Sequence, residues 1–111
     1  MRYTDQQRLQ KILTICEQLE NFLSENEVTE EMVESNYSLQ WTVTTPLYNI
    51  GEQVYNLSKE FKELYPDIPW MRISGIRHRL VHDYEGTNWK IICQVLFTDI
   101  PAFKEQLKAI L

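Results

Sequence analysis

Residues 39–64 read LQWTVTTPLYNIGEQVYNLSKEFKEL, and this stretch decides the fold class. Its apolar residues recur at intervals of three or four, which is the spacing of one face of an α-helix. They are Leu39, Val43, Leu47, Ile50, Val54, Leu57, Phe61 and Leu64. The pattern predicts a long helix whose apolar stripe is buried along most of its length. Pro46 is expected to kink or divide this helix, because proline lacks an amide donor and clashes with the preceding turn.

Gly51 lies inside the same stripe, where a glycine weakens a helix. Such a glycine usually has a packing reason. We therefore expect a neighbouring helix to approach closely at this position.

The residues before this stretch predict one further long helix and a short helical turn. Thr4 and Gln7 form a capping-box pattern, which starts a helix of about five turns that ends near residues 24–26. Its apolar positions are Leu9, Ile12, Leu13, Cys16, Leu19 and Leu23. Thr29 then opens a short helical turn rich in Glu, a residue that suits a helix N-terminus.

The residues after it predict three more. Pro66 and Pro69 separate the long helix from a third one, whose apolar face is Trp70, Ile73, Ile76 and Leu80. Residues 85–88 break that helix, and Thr87 or Asn88 can cap a fourth one, which carries Ile91, Ile92, Val95 and Leu96. Residues 99–101, Asp-Ile-Pro, are expected to restart the chain as a last short helix. With no β-hairpin signal anywhere, the sequence predicts one all-α domain over residues 1–111, an antiparallel bundle of four to five helices with short loops.

The composition indicates the cellular location and argues against several classes of protein. Seven Gly and Pro residues among 111, with 43% hydrophobic residues, argue against disorder and against a β-sandwich. No apolar signal sequence and no apolar run of roughly 20 residues is visible, so we expect a cytoplasmic protein outside the membrane. Cys16 and Cys93 both fall in apolar periodic segments and are predicted to be buried free thiols.

Charge is distributed unevenly along the chain, whose net charge is −5. No Lys or Arg occurs between Lys11 and Lys59, whereas no acid occurs between Asp67 and Asp83. The second window holds the basic residues Arg72, Arg77, His78, Arg79 and His82. A local positive site on an acidic body suits a small anionic target such as one phosphate. A solvated basic helix face is the alternative explanation.

The chemistry available in this window is that of phosphodiester cleavage without a metal. Phosphate-loop, serine-hydrolase and zinc motifs are absent, and a metal held by His78 and His82 would lack a third ligand and face neighbouring arginines. A histidine such as His82 can accept or donate a proton near neutral pH. An arginine such as Arg77 can bind the scissile phosphate and stabilise its added charge. Attack by a ribose 2′-hydroxyl would restrict the substrate to RNA.

Helix geometry complicates this interpretation. Five residues turn a side chain by about 140°, so Arg77 and His82 do not share one face of a regular helix. Either the helix loosens before His82 or a second subunit completes the site. The alternative is structural: Arg77 pairs with an acid such as Glu52, and the histidine packs at a helix end.

With its flanks, the segment Gly75–Tyr84 resembles the HepT family, which are minimal HEPN proteins encoded beside a minimal nucleotidyltransferase. The resemblance also includes residues 50–52 with 57–58, residues 68–70 and the tail at 99–101. Together these stretches cover roughly residues 45–111.

The resemblance implies a HEPN bundle that forms a homodimer with both motifs in one cleft. It implies a ribonuclease toxin that needs no cofactor, in which Arg77 and His82 match the catalytic pair. Tyr84 matches the tyrosine to which the nucleotidyltransferase antitoxin transfers AMP. We assign His78, Arg79 and Glu52 a supporting or phosphate-binding role, although family members most often carry Asn at the position of His78.

Two functional hypotheses follow. The first is a toxin that cleaves RNA, with tRNA among the candidate substrates, and that AMP transfer to Tyr84 silences. The second is a non-catalytic partner that binds nucleotide or presents substrate to the nucleotidyltransferase.

Overall fold

The computed structural model describes residues 4–82 and 88–111, with residues 81 and 82 described by their backbone alone. Within these ranges the regular structure is entirely helical. The helices are α1 (Asp5–Glu25), α2 (Glu30–Ser35), α3 (Tyr37–Tyr55), α4 (Lys59–Leu64), α5 (Trp70–His82), α6 (Trp89–Gln94) and α7 (Ile100–Ile110), with a π-helical turn at Val95–Asp99. The predicted all-α bundle is confirmed.

Polar caps set the starts of several helices as predicted. The Thr4 hydroxyl accepts a hydrogen bond from Gln7 N at 3.1 Å, and the Gln7 side chain accepts one from Thr4 N at 2.8 Å. The Thr29 hydroxyl accepts from Met32 N, and the Asn88 side chain accepts from the amides of residues 90 and 91. Each cap satisfies amides that have no partner inside the helix.

The long helix predicted over residues 39–64 is divided, but not at Pro46. Helix α3 continues through Pro46, where Val43 and Leu47 are fully buried on either side, and ends at Tyr55. The break comes at residues 56–58, because the Ser58 hydroxyl caps α4 by accepting from the amide of residue 61 at 3.1 Å. The end of the predicted stripe is wrong, since Leu64 is 71% exposed.

The last helix begins at Ile100, as predicted, but no break in the helical chain precedes it. Helix α6, the π turn and α7 follow one another without a break, and Asp99 has helical φ and ψ angles of −69° and −45° with no capping hydrogen bond. The Ile100 amide bonds to Val95 O, five residues back, as in a π turn. The wider turn accommodates Pro101, whose ring and missing amide disfavour a regular helix.

One cluster of buried apolar side chains joins the helices. Helix α3 lies between α1 and α5, and α7 packs on α1. Trp70 packs edge-on against Phe103, with ring centroids 5.9 Å apart. Cys16 and Cys93 are buried free thiols, as predicted. In the described part of the chain, every helix is too short or too polar to span a bilayer.

Candidate functional site

The crossing of α3 and α5 positions Arg77. A Cβ atom at Gly51 would lie 3.0 Å from Arg77 N, 3.2 Å from Arg77 Cβ and 3.3 Å from Ile73 O. Only a residue without a side chain permits this approach. The close helix contact predicted at Gly51 is confirmed, and it places the base of the Arg77 side chain directly against α3.

The Arg77 guanidinium lies on two side chains of α3. Its Cζ atom is 3.9 Å from the centroid of the Tyr55 ring, and its Nε atom is 3.5 Å from Glu52 Oε2. The Arg77 side chain remains 31% exposed. The arginine therefore has a cation–π contact on one face and an ion pair at one edge, at the molecular surface.

Glu52 is itself fixed by the end of α3. The Asn56 side-chain amide donates to Glu52 O at 2.8 Å and to Glu52 Oε1 at 3.3 Å. The other carboxylate oxygen, Oε2, is buried and accepts no hydrogen bond from any described residue. Its distance of 3.5 Å from Arg77 Nε is that of an ion pair rather than a well-formed hydrogen bond. The charge of Arg77 is what compensates this buried oxygen.

The other arginines of the basic window lie on a different side of α5. Arg72 and Arg79 line a groove of about 340 Å³ between α5 and α6, together with Gly75, Ile91 and Val95. Arg72 donates from Nε and Nη2 to Asp99 Oδ2, at 3.1 and 2.9 Å. Two residues along a helix differ by about 200°, so Arg77 and Arg79 face nearly opposite ways. The structure separates these two predicted site residues, whereas it brings Arg77 and Glu52 together.

The rest of the predicted motif lies at or beyond the limit of the described residues. His78 is exposed on α5. His82 is the last residue of α5, described by its backbone, and Tyr84 lies outside the described residues. Among the side chains of residues 4–80 and 88–111, no three His, Cys, Asp or Glu residues group as metal ligands would.

Sequence reasoning missed Tyr55 and Asn56. Both follow Glu52 at helical spacings of three and four residues, so they share a face with it. Their spacing from Glu52 was the signal available in the sequence. It places Asn56 within reach of the Glu52 carboxylate and Tyr55 beside Arg77, the partner of Glu52.

Comparison with known proteins identifies the family to which the sequence is similar. The sequence pattern of the family described as "Ribonuclease HepT-like" matches residues 12–110. A "Probable ribonuclease HepT" of Thermococcus cleftensis is 30% identical over 104 residues, which is 94% of this chain and 93% of that protein. A "Putative RNase" of Methanocaldococcus jannaschii is 30% identical over 103 residues, covering 93% of this chain and 84% of the relative.

A "Putative RNase" of Caldanaerobacter subterraneus subsp. tengcongensis is 45% identical over a shorter stretch of 62 residues. That stretch is 56% of this chain and 55% of the relative. No solved structure matches significantly. The profile match over residues 12–110 and the near full-length similarity to the Thermococcus protein show that the chain belongs to the HepT-like family of ribonucleases.

Proposed function

We propose that this chain is a metal-independent endoribonuclease in which Arg77 and His82 act on one phosphodiester of RNA. The observation that carries the proposal is the setting of Arg77, a guanidinium held on α3 at the surface by Tyr55 and Glu52. Membership of the HepT-like family and the names of its relatives support ribonuclease chemistry. An arginine held in one orientation is suited to bind a phosphate through two hydrogen bonds.

The proposed reaction needs one acid–base group and one positive charge. The ribose 2′-hydroxyl attacks phosphorus, a new P–O2′ bond forms, and the bond to the 5′ oxygen breaks. His82 accepts the hydroxyl proton or donates one to the leaving oxygen. Arg77 stabilises the charge on the five-coordinate phosphorus. The products are a 2′,3′-cyclic phosphate and a free 5′-hydroxyl.

A two-fold dimer is part of the proposal, because one regular helix turns Arg77 and His82 about 140° apart. Two α5 helices near the axis would let Arg77 of one subunit meet His82 of the other. An open surface on α5 supports this arrangement: Met71 is 87% exposed, and no described residue lies within 4 Å of the position that a Cβ would take at Gly75. Sedimentation at micromolar concentration should show a dimer. A 13.3 kDa species alone would contradict the arrangement.

The catalytic test uses Arg77→Ala and His82→Ala. Both variants should lose RNA cleavage and toxicity while keeping a helical circular dichroism spectrum. Cleavage by the unmodified chain should persist in excess EDTA, and a reaction that EDTA stops and a divalent metal restores would refute the mechanism. Nucleotide binding without any cleavage would favour the second hypothesis, a non-catalytic partner of the nucleotidyltransferase.

The proposal also includes regulation by a minimal nucleotidyltransferase antitoxin. Both proteins are proposed to act in the cytoplasm. Transfer of AMP to the Tyr84 hydroxyl would add a phosphodiester with one negative charge two residues beyond His82. Because Arg77 and Arg79 lie on different sides of α5, this phosphate can engage one of them within its own subunit, not both. Occupation of Arg77 would exclude RNA.

The modification has its own test. The Tyr84→Phe variant keeps the ring and lacks the acceptor oxygen, so the partner with ATP should neither modify nor silence it. Intact-mass spectrometry measures the AMP adduct directly. An undiminished adduct on the phenylalanine variant would place the modified residue elsewhere.

A further inference from the structure

We propose that Tyr55 and Glu52 are positioning residues that orient the Arg77 guanidinium for phosphate. This inference rests on the proposed function, because it assigns the two side chains a task in the same site. Tyr55 would fix the plane of the guanidinium, and Glu52 would fix its rotation within that plane. Neither side chain is proposed to touch the reacting atoms.

The contacts around Arg77 leave one edge of the guanidinium available. Among the side chains of residues 4–80 and 88–111, its partners are the Tyr55 ring, 3.9 Å from Cζ, and the Glu52 carboxylate, 3.5 Å from Nε. These occupy a face and the Nε edge. The Nη1 and Nη2 groups remain to donate in parallel, and a phosphate accepts such a pair through two of its oxygens.

The support beneath the guanidinium is held in place independently of Arg77. Asn56 donates to both the backbone oxygen and Oε1 of Glu52, and Gly51 lets α5 approach α3 so closely that a Cβ at this position would lie 3.0 Å from Arg77 N. The carboxylate is thus constrained before the arginine meets it. Arg77 starts from a backbone in contact with α3, so little freedom is left to its side chain.

A packing role does not account for Tyr55. Its side chain is 56% exposed, and it is not among the buried residues of the core. Tyr37, on the same helix, is similarly exposed at 64% but lies 18 residues away, about 27 Å along the helix axis. The two tyrosines therefore form a matched pair that differs in contact with Arg77.

The first experiment measures RNA cleavage in EDTA by Tyr55→Leu, Tyr55→Phe and Tyr37→Leu. Loss of the ring should lower kcat about 3- to 30-fold, the range of a cation–π contact, with a smaller change in KM. Tyr55→Phe should retain most activity because the ring alone is required, and Tyr37→Leu should match the unmodified chain. An unchanged kcat for Tyr55→Leu would overturn the inference.

The second experiment does not depend on cleavage. In Arg77→Ala, the vacated place between Tyr55 and Glu52 should bind free guanidinium at millimolar concentration, detected as shifts of the Tyr55 ring signals in NMR spectra. The unmodified chain should show no such shift, since its own arginine occupies the place. Binding should weaken at least tenfold when Glu52→Ala is added, with the remaining aromatic signals unchanged.

The outcomes separate the two proposals. If no condition yields RNA cleavage but Arg77→Ala binds guanidinium and the added Glu52→Ala abolishes it, the proposed function fails and the positioning role stands. If cleavage is normal but Arg77→Ala shows no guanidinium-dependent shift up to tens of millimolar, the positioning role fails. Equal binding with and without Glu52 would also refute it.

Discussion

Replacing Gly51 with alanine is expected to destabilise the bundle, whereas the same replacement at Gly75 is expected to stabilise it. Both glycines lie inside helices, so each substitution brings the same improvement in helix propensity. They differ in surroundings. A Cβ at Gly51 would meet backbone atoms of α5 at 3.0 and 3.3 Å, and a Cβ at Gly75 would meet no described residue of its own subunit within 4 Å.

The magnitude follows from two terms. Alanine in place of glycine inside a helix contributes about 0.5–1 kcal/mol of stability. Overpacking a tight contact costs about 1–3 kcal/mol, and here the neighbours Arg77 N and Ile73 O are backbone atoms that move only with α5. The propensity term cancels between the variants. The free energies of unfolding should therefore differ by about 1–3 kcal/mol, which corresponds to midpoints roughly 5–15 °C apart.

The assay is urea and thermal unfolding followed by circular dichroism at 222 nm. Both variants should be compared at one protein concentration, with their oligomeric state checked by sedimentation, because association contributes to apparent stability. A Gly51→Ala chain as stable as Gly75→Ala would refute the reasoning. It would mean that α5 can move away from α3 at little cost.

Three further predictions concern residues away from the crossing. Leu57→Ala should lower the free energy of unfolding by roughly 2–5 kcal/mol in urea titrations, because Leu57 is 4% exposed, and an unchanged midpoint would be incompatible with its burial. Asp5→Ala should lower it by roughly 1–3 kcal/mol, since the carboxylate accepts from Ser58 N at 2.8 Å and Ser58 Oγ at 2.6 Å; Asp5→Asn should recover part of the loss. Burial raises the pKa of the Cys16 thiol to about 12 and that of Cys93 to about 11, so Ellman's reagent should react with both at pH 8 only at the rate of unfolding. Rapid labelling at pH 8 would contradict the burial of the two thiols. The raised pKa values favour the folded chain below about pH 9, and this contribution to stability is lost as the pH rises through 11–12.

Local signals in the sequence were sufficient to predict where most helices begin. The Thr4, Thr29 and Asn88 caps each involve residues two or three positions apart, so the information lies within a few letters. The spacing of Trp70, Ile73, Ile76 and Leu80 likewise predicted the buried face of α5.

The errors arose where a distant residue decides the local structure. Ser58, which starts α4, is bound by Asp5, 53 positions earlier in the chain. Asp99 was expected at the start of a separate last helix, but it lies within a continuous helical run and its carboxylate pairs with Arg72, 27 positions away. Periodicity and capping rules contain neither contact, so they predicted a kink or division at Pro46 and did not predict that the last helix follows the preceding turn without a break.

The candidate site was predictable in its chemistry more than in its geometry. The sequence indicated Arg77 and offered Glu52 as a structural partner in place of a catalytic role. The structure shows that Glu52 does pair with Arg77, and because the Arg77 side chain is still 31% exposed, this pairing is compatible with the proposed binding of phosphate. The spacing of Arg77 and Arg79 already places them on different sides of a helix. The sequence analysis grouped them because both belong to the same basic window.

The π turn at Val95–Asp99 has a consequence for how the length of this chain can vary. A π turn contains more residues per turn than an α-helix, and the surplus is absorbed locally. The buried faces on either side, with Ile92 before the turn and Phe103 after it, keep their direction toward the core. Thr98 is exposed within the turn. Loss of one residue there would close the turn into a regular helix without rotating α7, but Pro101 would then clash with the preceding turn, so a one-residue deletion should retain the same core only when Pro101 is replaced as well.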